Sequence, residues 1–594
     1  MRSFRFWSLV SSLFVVGLSL VPTAAADHTN PRTPLAPTNG STSPGIVRGE
    51  GTWQHIANFP GGASNALTGG GTDLEFFTPS GSSDVFGAFG TLGQDDVGSI
   101  GQRILQLTQN SAVAPRWVAD HGSAHCTTSN PSGTTGLQHD SQVAVQGKVR
   151  LLTDTTDATG RCHDSNGGGI EIVDVSNIAQ ASFQPREVHL VRLAGFSHTH
   201  TVDTGRPWIV YNSSSDFAGR NWIDVLDLRS CFGSQSWSLS KRRASCRPLV
   251  YRIQFQPEWT QQRDQDTGEL EPGSAACHDI TFSANRLYCA GVNATLIIDV
   301  SGLVGRGGIR GTPFPCPVIA GTQTGATVTD CNAMEASRTE RATGWTFLGT
   351  FQHPGRDCVP KPIDNRNCNS NNHVRSDEGV SISHEADPTP DHRFMFVTDE
   401  RGGGIVPPGS SCSPGIDNPY GNGGAHAFDI STPSNIRYAT TVAGQKSVYI
   451  SDAVVPAETF CDIHVIEQVP NEQRLIVAYY SQGTKIVDYF VDASGHVEFR
   501  ETSSFTLPNA NTWATEDFKI VNNADGTRTY YLAADDIHRG IDVFSWTGQP
   551  NPMGAQAPAG SSGEMTFNLG LLGAAALLLP AAAAIGRRRR RSAP

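Results

Sequence analysis

Short runs in which apolar and polar residues alternate recur along most of the chain, in a fixed order. Residues 277–300 show this order most clearly. They open with His278-Asp279, pass through the β-rich run RLYCAG, and close on the strand TLIIDV. Alternation with a period of two predicts strands with distinct faces. The same order follows seven openings, at positions 72, 139, 200, 278, 384, 464 and 516.

The number of runs in each copy predicts the fold. Each copy holds three apolar runs, and a fourth usually follows, such as LVYRIQF at 249–255. Four strands in each of seven copies predict an all-β fold, a seven-bladed β-propeller. Because one blade cannot bury both of its faces, the blades are expected to stack around an axis. The first copy is degenerate, which leaves the blade count open by about one.

The two ends of the repeat region are predicted to meet. The last copy stops after its third strand, at Trp546, whereas 51–60 (GTWQHIANFP) has the pattern of a fourth strand with nothing before it. The sequence therefore predicts that the N-terminal strand completes the last blade. This closure would remove two free sheet edges.

The strand that ends several copies carries a short motif, seen in GIEIVDVSN, TLIIDVSG and TKIVDYF. It resembles the repeat of the LVIVD family of secreted, propeller-like proteins, over about residues 50–548. The resemblance implies a secreted propeller. It implies little about activity, because function depends on sites carried by a fold.

Apolar segments at both chain ends predict export and anchoring. Residues 1–26 combine Arg2 and Arg5 with an apolar stretch and three alanines, as in a signal peptide. Residues 565–586 are long enough to span a bilayer, and the five arginines that follow should stay cytoplasmic. The predicted order is signal peptide 1–26, Pro/Ser/Thr-rich linker 27–50, propeller 51–548, linker 549–564, transmembrane helix 565–586 and basic tail 587–594. We expect a cell-surface protein held in the cytoplasmic membrane, unless a sorting enzyme cleaves the tail.

The charge of the chain argues against one class of partner. Seven of its 44 cations lie in the two terminal segments, which carry no acid, so the middle holds 37 cations and 56 acids, a net charge of −19. A body with this charge repels phosphate backbones, so nucleic acid is not expected as a partner. The protein is expected to be a monomer.

An even number of cysteines in an exported chain predicts disulfides. The chain has twelve, and pairing neighbours in sequence gives a plausible set. The predicted pairs are Cys126–Cys162, Cys231–Cys246, Cys277–Cys289, Cys316–Cys331, Cys358–Cys368 and Cys412–Cys461. The pair Cys277–Cys289 is the best supported, because both cysteines flank one hairpin turn at similar distances.

One recurrent polar position could carry chemistry. The openings of the copies are His139, His200, His278, His384 and His464, with Glu516 in another copy and Thr72 in the degenerate one. Equivalent positions in a propeller lie on a ring, so these side chains would encircle the axis if they face the channel. Neutral imidazole is a common ligand of zinc, copper and iron. A subset is therefore predicted to bind such a metal, and His198 could add a ligand.

A structural role for these histidines is the competing interpretation. Each ring could donate to an aspartate or to the backbone and so fasten strands within or between blades. The acidic residues that follow could join these hydrogen bonds; they are Asp140, Asp279, Glu385 and Asp517.

Two functions remain open from the sequence. The chain has no G-x-S-x-G, P-loop or H-E-x-x-H motif, so the chemistry of those motifs has no support. We expect a binding or scaffolding module at the cell envelope, whose partner is an extracellular protein, a glycan or a small molecule. The alternative is a metal-dependent enzyme, an oxidoreductase or hydrolase that uses the channel histidines.

Overall fold

The computed structural model describes most of the repeat region. The described residues are 45–60, 70–92, 101–121, 139–156, 169–180, 183–193, 196–215, 221–255, 262–263, 270–271, 277–291, 294–303, 318–319, 342–352, 382–400, 423–440, 447–451 and 462–555.

Seven antiparallel sheets follow one another along the chain and form the blades of a propeller. Strands are given from the axis outward and are called inner, second, third and outer. Blade 1 has Gly70–Phe77, Phe86–Leu92, Gln102–Gln109 and Ala112–His121; blade 2 has His139–Gln146, Val149–Thr156, Gly169–Asp174 and Arg186–Arg192. Blade 3 has Phe196–Val202, Ile209–Ser215, Asn221–Asp227 and Leu249–Gln254; blade 4 has Cys277–Ser283, Arg286–Gly291, Ala294–Asp299 and Thr346–Gln352.

The remaining blades show the predicted closure. Blade 5 has Ile382–Pro388, Phe394–Glu400 and Ala425–Asp429, with Arg437–Tyr438 and Val448–Tyr449 both on its third strand. Blade 6 has Ile466–Gln468, Arg474–Ala478, Thr484–Val491 and Val497–Thr506; blade 7 has Thr512–Asn522, Arg528–Asp536, Gly540–Gly548 and, as its outer strand, Thr52–Phe59. Neighbouring inner strands contact one another around the whole ring, including those of blades 7 and 1. The seven-bladed prediction is therefore confirmed.

The hydrophobic core is divided among the blade interfaces. Seven clusters of buried residues fill the seven interfaces, one in each. Consecutive residues of a strand point to opposite faces of its sheet. Thus Val210 packs towards blade 2, whereas Ile209 and Tyr211 pack towards blade 4. The period of two in the sequence therefore assigns each residue to one of two neighbouring interfaces.

The N-terminal strand is locked into blade 7 by a tryptophan. Trp53 pairs with Trp546, and Phe59 pairs with Ile541. The Trp53 ring stacks on Phe505 of blade 6 with centroids 5.2 Å apart, and its Nε1 donates to Ser503 Oγ at 2.8 Å. The strand thus closes the ring and also contributes to the core between blades 6 and 7.

A second N-terminal strand precedes the closing one. Ile46–Gly49 pairs with the outer strand of blade 6 and gives that blade a fifth strand. It lies within the segment predicted to be a linker. The chain then crosses to blade 7 through Gly51, which has φ +82° and leaves no room for a Cβ, since that atom would lie 2.4 Å from Trp546 Nε1. Glycine is the residue that adopts this backbone conformation without strain.

Three further segments extend the blades. Val318–Ile319, from the long insertion after the third strand of blade 4, pairs with the outer strand of blade 2. A short hairpin joins Gln262–Arg263 to Leu270–Glu271. Past the last strand, Asn551 is buried and its main-chain N–H donates to Glu472 of blade 6.

Two of the predicted disulfides lie within the described residues, and both are confirmed. Cys277–Cys289 joins the inner and second strands of blade 4, and Cys231–Cys246 joins the ends of a loop in blade 3. The other four predicted pairs lie outside the described residues, as do the predicted signal peptide 1–26 and transmembrane helix 565–586. Within the described ranges, no helix has the length and apolar character needed to cross a bilayer.

The closing strand generates a stability prediction. We expect Trp53→Ala to lower the free energy of unfolding by about 3–5 kcal/mol, because it removes a buried indole from the core between blades 6 and 7 and leaves a cavity there. Urea unfolding followed by circular dichroism measures the change. Ile46→Ala, on the exposed neighbouring strand, is the control and should change stability by about 0.5 kcal/mol or less. An unchanged urea midpoint for Trp53→Ala would show that the ring holds without this contact.

Candidate functional site

Four imidazoles and one indole follow one another around part of the axis. Their ring centroids are separated by 4.3 Å (His198 to His278), 4.5 Å (His278 to His384), 3.9 Å (His384 to His464) and 4.2 Å (His464 to Trp513). Each ring lies at or just before the start of the inner strand of a different blade, from blade 3 to blade 7. We call His198, His278, His384, His464 and Trp513 the axial arc.

The axial arc corrects the predicted equivalence of two positions. In blade 3 the arc residue is His198 rather than His200, because the inner strand bulges between Ser197 and His200 and shifts the period of two. In blade 7 the arc residue is Trp513 rather than Glu516, and the inner strand bulges at that point too. Bulges of this kind re-aim side chains.

His200 fastens blade 2 to blade 3. Its Nδ1 lies 2.7 Å from Asp140 Oδ2, and its Nε2 lies 2.8 Å from Thr153 Oγ1. This order of hydroxyl, imidazole and carboxylate also occurs in nucleophilic hydrolases. Here Thr153 is fully buried on the second strand of blade 2, so no substrate reaches its hydroxyl. Burial lowers the pKa of His200 to about 4, which keeps the ring neutral. The structural interpretation is therefore supported for this residue.

His139 also makes a structural contact. Its Nδ1 lies 3.0 Å from both carboxylate oxygens of Asp154 in the second strand of blade 2. Gln102 of blade 1 donates to the same carboxylate at 2.8 Å. The His139 ring is thus held at the interface of blades 1 and 2, and it has no ring contact with the axial arc among the described residues.

Acidic side chains of the inner strands face the axis beside the arc. Carboxylates act on each other between blades that are not neighbours: Asp279 of blade 4 helps to raise the pKa of Asp73 of blade 1, and Asp140 of blade 2 helps to raise that of Glu516 of blade 7. Such pairs interact only because they share the channel. We call this set the axial acids: Asp73, Glu75, Asp140, Asp279, Glu385, Asp387, Glu467, Glu516 and Asp517.

The axial acids hold protons more tightly than ordinary carboxyls. Burial raises the pKa of Asp140 to about 7 and that of Asp387 to about 7. Burial, followed by repulsion from Asp73 and Glu75, raises the pKa of Glu516 well above its usual range. Desolvation and like charges both disfavour the ionised form. The channel is therefore a region where positive charge or protons are favoured.

Some axial acids also hold the next blade in place. Asp73 accepts the Ser141 N–H at 3.0 Å, Glu385 accepts the Ile466 N–H at 2.6 Å, and Glu467 accepts the Asp517 N–H at 2.7 Å. Asp140 accepts the His200 N–H in the same way. A carboxylate thus fastens the next inner strand at four of the interfaces, as the structural interpretation predicts for Asp140 and Glu385.

A strained tyrosine supports one end of the axial arc. Tyr480 is buried and has φ +31°, a value that is unfavourable for a residue with a side chain. Its ring packs against His464 with centroids 5.1 Å apart. Burial, then the proximity of His278 and His198, lowers the pKa of His464 well below its usual range. The ring of His464 is therefore neutral at physiological pH.

The six predicted metal ligands do not assemble as one group. The structure brings His278, His384 and His464 together, places His139 and His200 at blade interfaces, and places Glu516 among the axial acids. Over the described ranges, no three His, Cys, Asp or Glu side chains are arranged to hold one ion. A transition metal bound by a subset of these residues stays a prediction.

Comparison with known proteins gives likenesses only among solved structures. No protein-family model matches the chain, and no curated protein does. The β-propeller domain of Cps50 (Swd1) from Myceliophteria thermophila is 10% identical, with 81% of this chain and 98% of that chain covered and a TM-score of 0.36. Sqt1 of Saccharomyces cerevisiae is 8% identical, with 81% and 97% covered and a TM-score of 0.39. Sqt1 of Chaetomium thermophilum is 10% identical, with 80% and 82% covered and a TM-score of 0.36. At these values the likenesses carry no information about function.

Proposed function

We propose that this protein is a binding module that takes a positively charged ligand in its axial channel. The observation that carries the proposal is the combination of the axial arc with the axial acids around one axis. Carboxylates attract a cation by charge, and the faces of indole and imidazole rings attract it through their π-electrons. The ligand would be a small cation or a cationic side chain of an extracellular partner.

The energetic cost of this arrangement supports a functional role. Buried like charges destabilise a fold, and perturbed pKa values tend to cluster at functional sites. Apolar residues at the same positions of the inner strands would avoid this cost and would extend the hydrophobic cores between the blades. Four of the axial acids accept a main-chain N–H of the next blade, and Asp387 accepts Gln468 Nε2 of blade 6 at 2.9 Å. Glu75 and Glu516 add further carboxyls to the lining.

The proposed location is the cell surface. It rests on the sequence of the terminal segments, the signal-peptide pattern of 1–26 and the apolar segment 565–586 followed by arginines. The two disulfides of blades 3 and 4 agree with an oxidising compartment. We propose that the propeller stands outside the cell, anchored in the cytoplasmic membrane, as an LVIVD-like surface module.

A metal-dependent enzyme is the second candidate, and one observation favours it. His278, His384 and His464 are consecutive in the axial arc, with His198 beside them. Small rotations of the imidazoles at this spacing would bring several ring nitrogens to a zinc or copper ion, which requires them at about 2.0–2.1 Å. The ion would supply Lewis-acid or redox chemistry beside the axial acids.

Calorimetry tests cation binding. We expect Ca²⁺ or spermidine to bind the purified propeller at low salt, displacing protons from the axial acids. The double variant Glu75→Gln/Glu516→Gln should weaken that binding at least tenfold, because it removes two carboxyls that can ionise against the cation. Glu50→Gln, an exposed acid outside the channel, is the matched control. No binding of either cation to the unmodified protein, or equal binding by both variants, would contradict the channel site.

Metal analysis tests the second candidate. If the axial arc holds a transition metal, protein purified without an affinity tag should contain about one zinc or copper ion per chain, and His278→Gln/His384→Gln should lose it. His496→Gln, in a turn of blade 6, is the control. A metal content that is absent at the start, or unchanged in the double variant, would remove this candidate.

The raised pKa values predict how stability depends on pH. A carboxyl with a raised folded-state pKa stabilises the fold below its unfolded pKa, and this contribution is lost as pH rises through the folded pKa. His189, His200 and His464, whose pKa values are lowered by burial, act in the opposite direction, but only below about pH 6.5. In buffer without multivalent cations, we therefore expect the melting temperature to fall between pH 6.5 and 8. Asp140→Asn, which keeps an acceptor for His200, should flatten the slope, and an equally steep slope would contradict this assignment.

A further inference from the structure

The loop between the third and outer strands of blade 3 differs in charge from the rest of the molecule. Residues 228–248 carry five cations and no acid, in a chain with 56 acids and 44 cations. The loop contains a 3-10 turn at Arg229–Cys231 and a short helix at Leu239–Ser245. It is therefore a basic segment on an acidic body.

The loop is rigid. The disulfide Cys231–Cys246 joins its two ends. At its centre, Arg242 is fully buried, and its guanidinium donates to the carbonyls of Cys231, Phe232 and Ser234 at 2.7–3.1 Å. The same guanidinium lies 3.0 Å from the Asp174 carboxylate of blade 2. The exposed cations of the loop therefore project from a fixed frame.

Nearby carboxylates neutralise only part of the charge of the loop. Arg229 pairs with Asp227, whereas Arg243 lies 3.9 Å from Glu187, a weak contact between partly exposed groups. Lys241 and Arg247 are exposed, and neither forms an ion pair with any described residue.

The two unneutralised cations are held in place by contacts that keep their charge. Lys241 Nζ lies 4.7 Å from the centroid of the Trp237 ring. Arg247 donates to the carbonyls of Arg243 and Cys246. Because these contacts restrict both side chains before any partner arrives, less side-chain entropy is lost on binding.

We propose that residues 228–248 form a docking surface for a flexible polyanion with repeating phosphodiester groups. Guanidinium groups match phosphate oxygens in charge and geometry. Exposed apolar side chains do not contribute, because the exposed large hydrophobic residues of the described part are Ile46, Val47 and Met553, all outside this loop. A folded or helical peptide partner would require apolar anchors that the loop does not offer.

The small number of unneutralised cations, set on an acidic body, favours a thin chain over a wide partner. Salt screens charge interactions beyond about 8 Å at physiological ionic strength. A flexible chain can therefore contact the loop with little electrostatic repulsion from the acidic body. A stiff duplex or a flat bilayer would also approach the surrounding acids. The surface therefore selects a narrow, flexible anion.

Binding of synthetic poly(glycerol phosphate) to the whole propeller tests the proposal. We expect binding at low salt that weakens steeply as salt is added. Lys241→Gln/Arg247→Gln should weaken it at least tenfold and reduce the salt slope by about 1.4, at about 0.7 per lost phosphate contact. The matched control is Arg48→Gln/Lys148→Gln, which removes one exposed arginine and one exposed lysine elsewhere and should bind as the unmodified protein does.

Other anions test which class of partner the loop binds. A variant of the channel tests whether the loop and the channel are separate binding sites. Equal binding by the two double variants, or no binding by the unmodified protein, would overturn the proposal. Tighter binding of polyglutamate, duplex DNA or phosphatidylglycerol vesicles than of poly(glycerol phosphate) would also overturn it and identify another partner class. Glu75→Gln/Glu516→Gln should bind the polymer normally, so failure of the channel site and failure of this surface are distinguishable.

Discussion

The architecture depends on one constraint: every blade is a sheet with two apolar faces. A sheet of this kind is stable only when both faces are covered, and a closed ring of sheets covers all of them without an additional layer. The seven interface cores are the result. The same constraint leaves a central channel, because the inner strands can converge on the axis but cannot fill it. Polar side chains that are unsuited to the interfaces are gathered there.

The sequence could predict the ring and its closure because both depend on periodicity. The alternation in segments such as 277–300 specifies which residues meet each neighbour, and the missing fourth strand of the last copy matches the unpartnered segment 51–60. The disulfide Cys277–Cys289 could be predicted for the same reason, since a hairpin places its cysteines opposite each other.

The details of the site could not be predicted because bulges interrupt the alternation. A shift of register between Ser197 and His200 moves the arc position to His198, and a similar irregularity brings in Trp513, an aromatic residue in a position expected to be acidic. The acids Glu75, Asp387 and Glu467 were missed, although each lies three residues after an opening position. The strand Ile46–Gly49 was hidden in a segment with a linker-like composition, and its partner strand lies far away in sequence.

The pairing of the first strand with the last blade also constrains how the molecule is made. The Trp546 indole donates to the carbonyl of Glu50, a residue 496 positions earlier. The chain is synthesised from its N-terminus, so residues 52–59 are made early and must remain without their partner strand until almost the entire repeat region has followed. The exposed edge of that waiting strand is a site for mispairing with other chains. Folding of this protein is therefore sensitive to the time between synthesis of the N-terminal strand and synthesis of its partner strand. A chaperone that covers the N-terminal strand during this time would prevent mispairing.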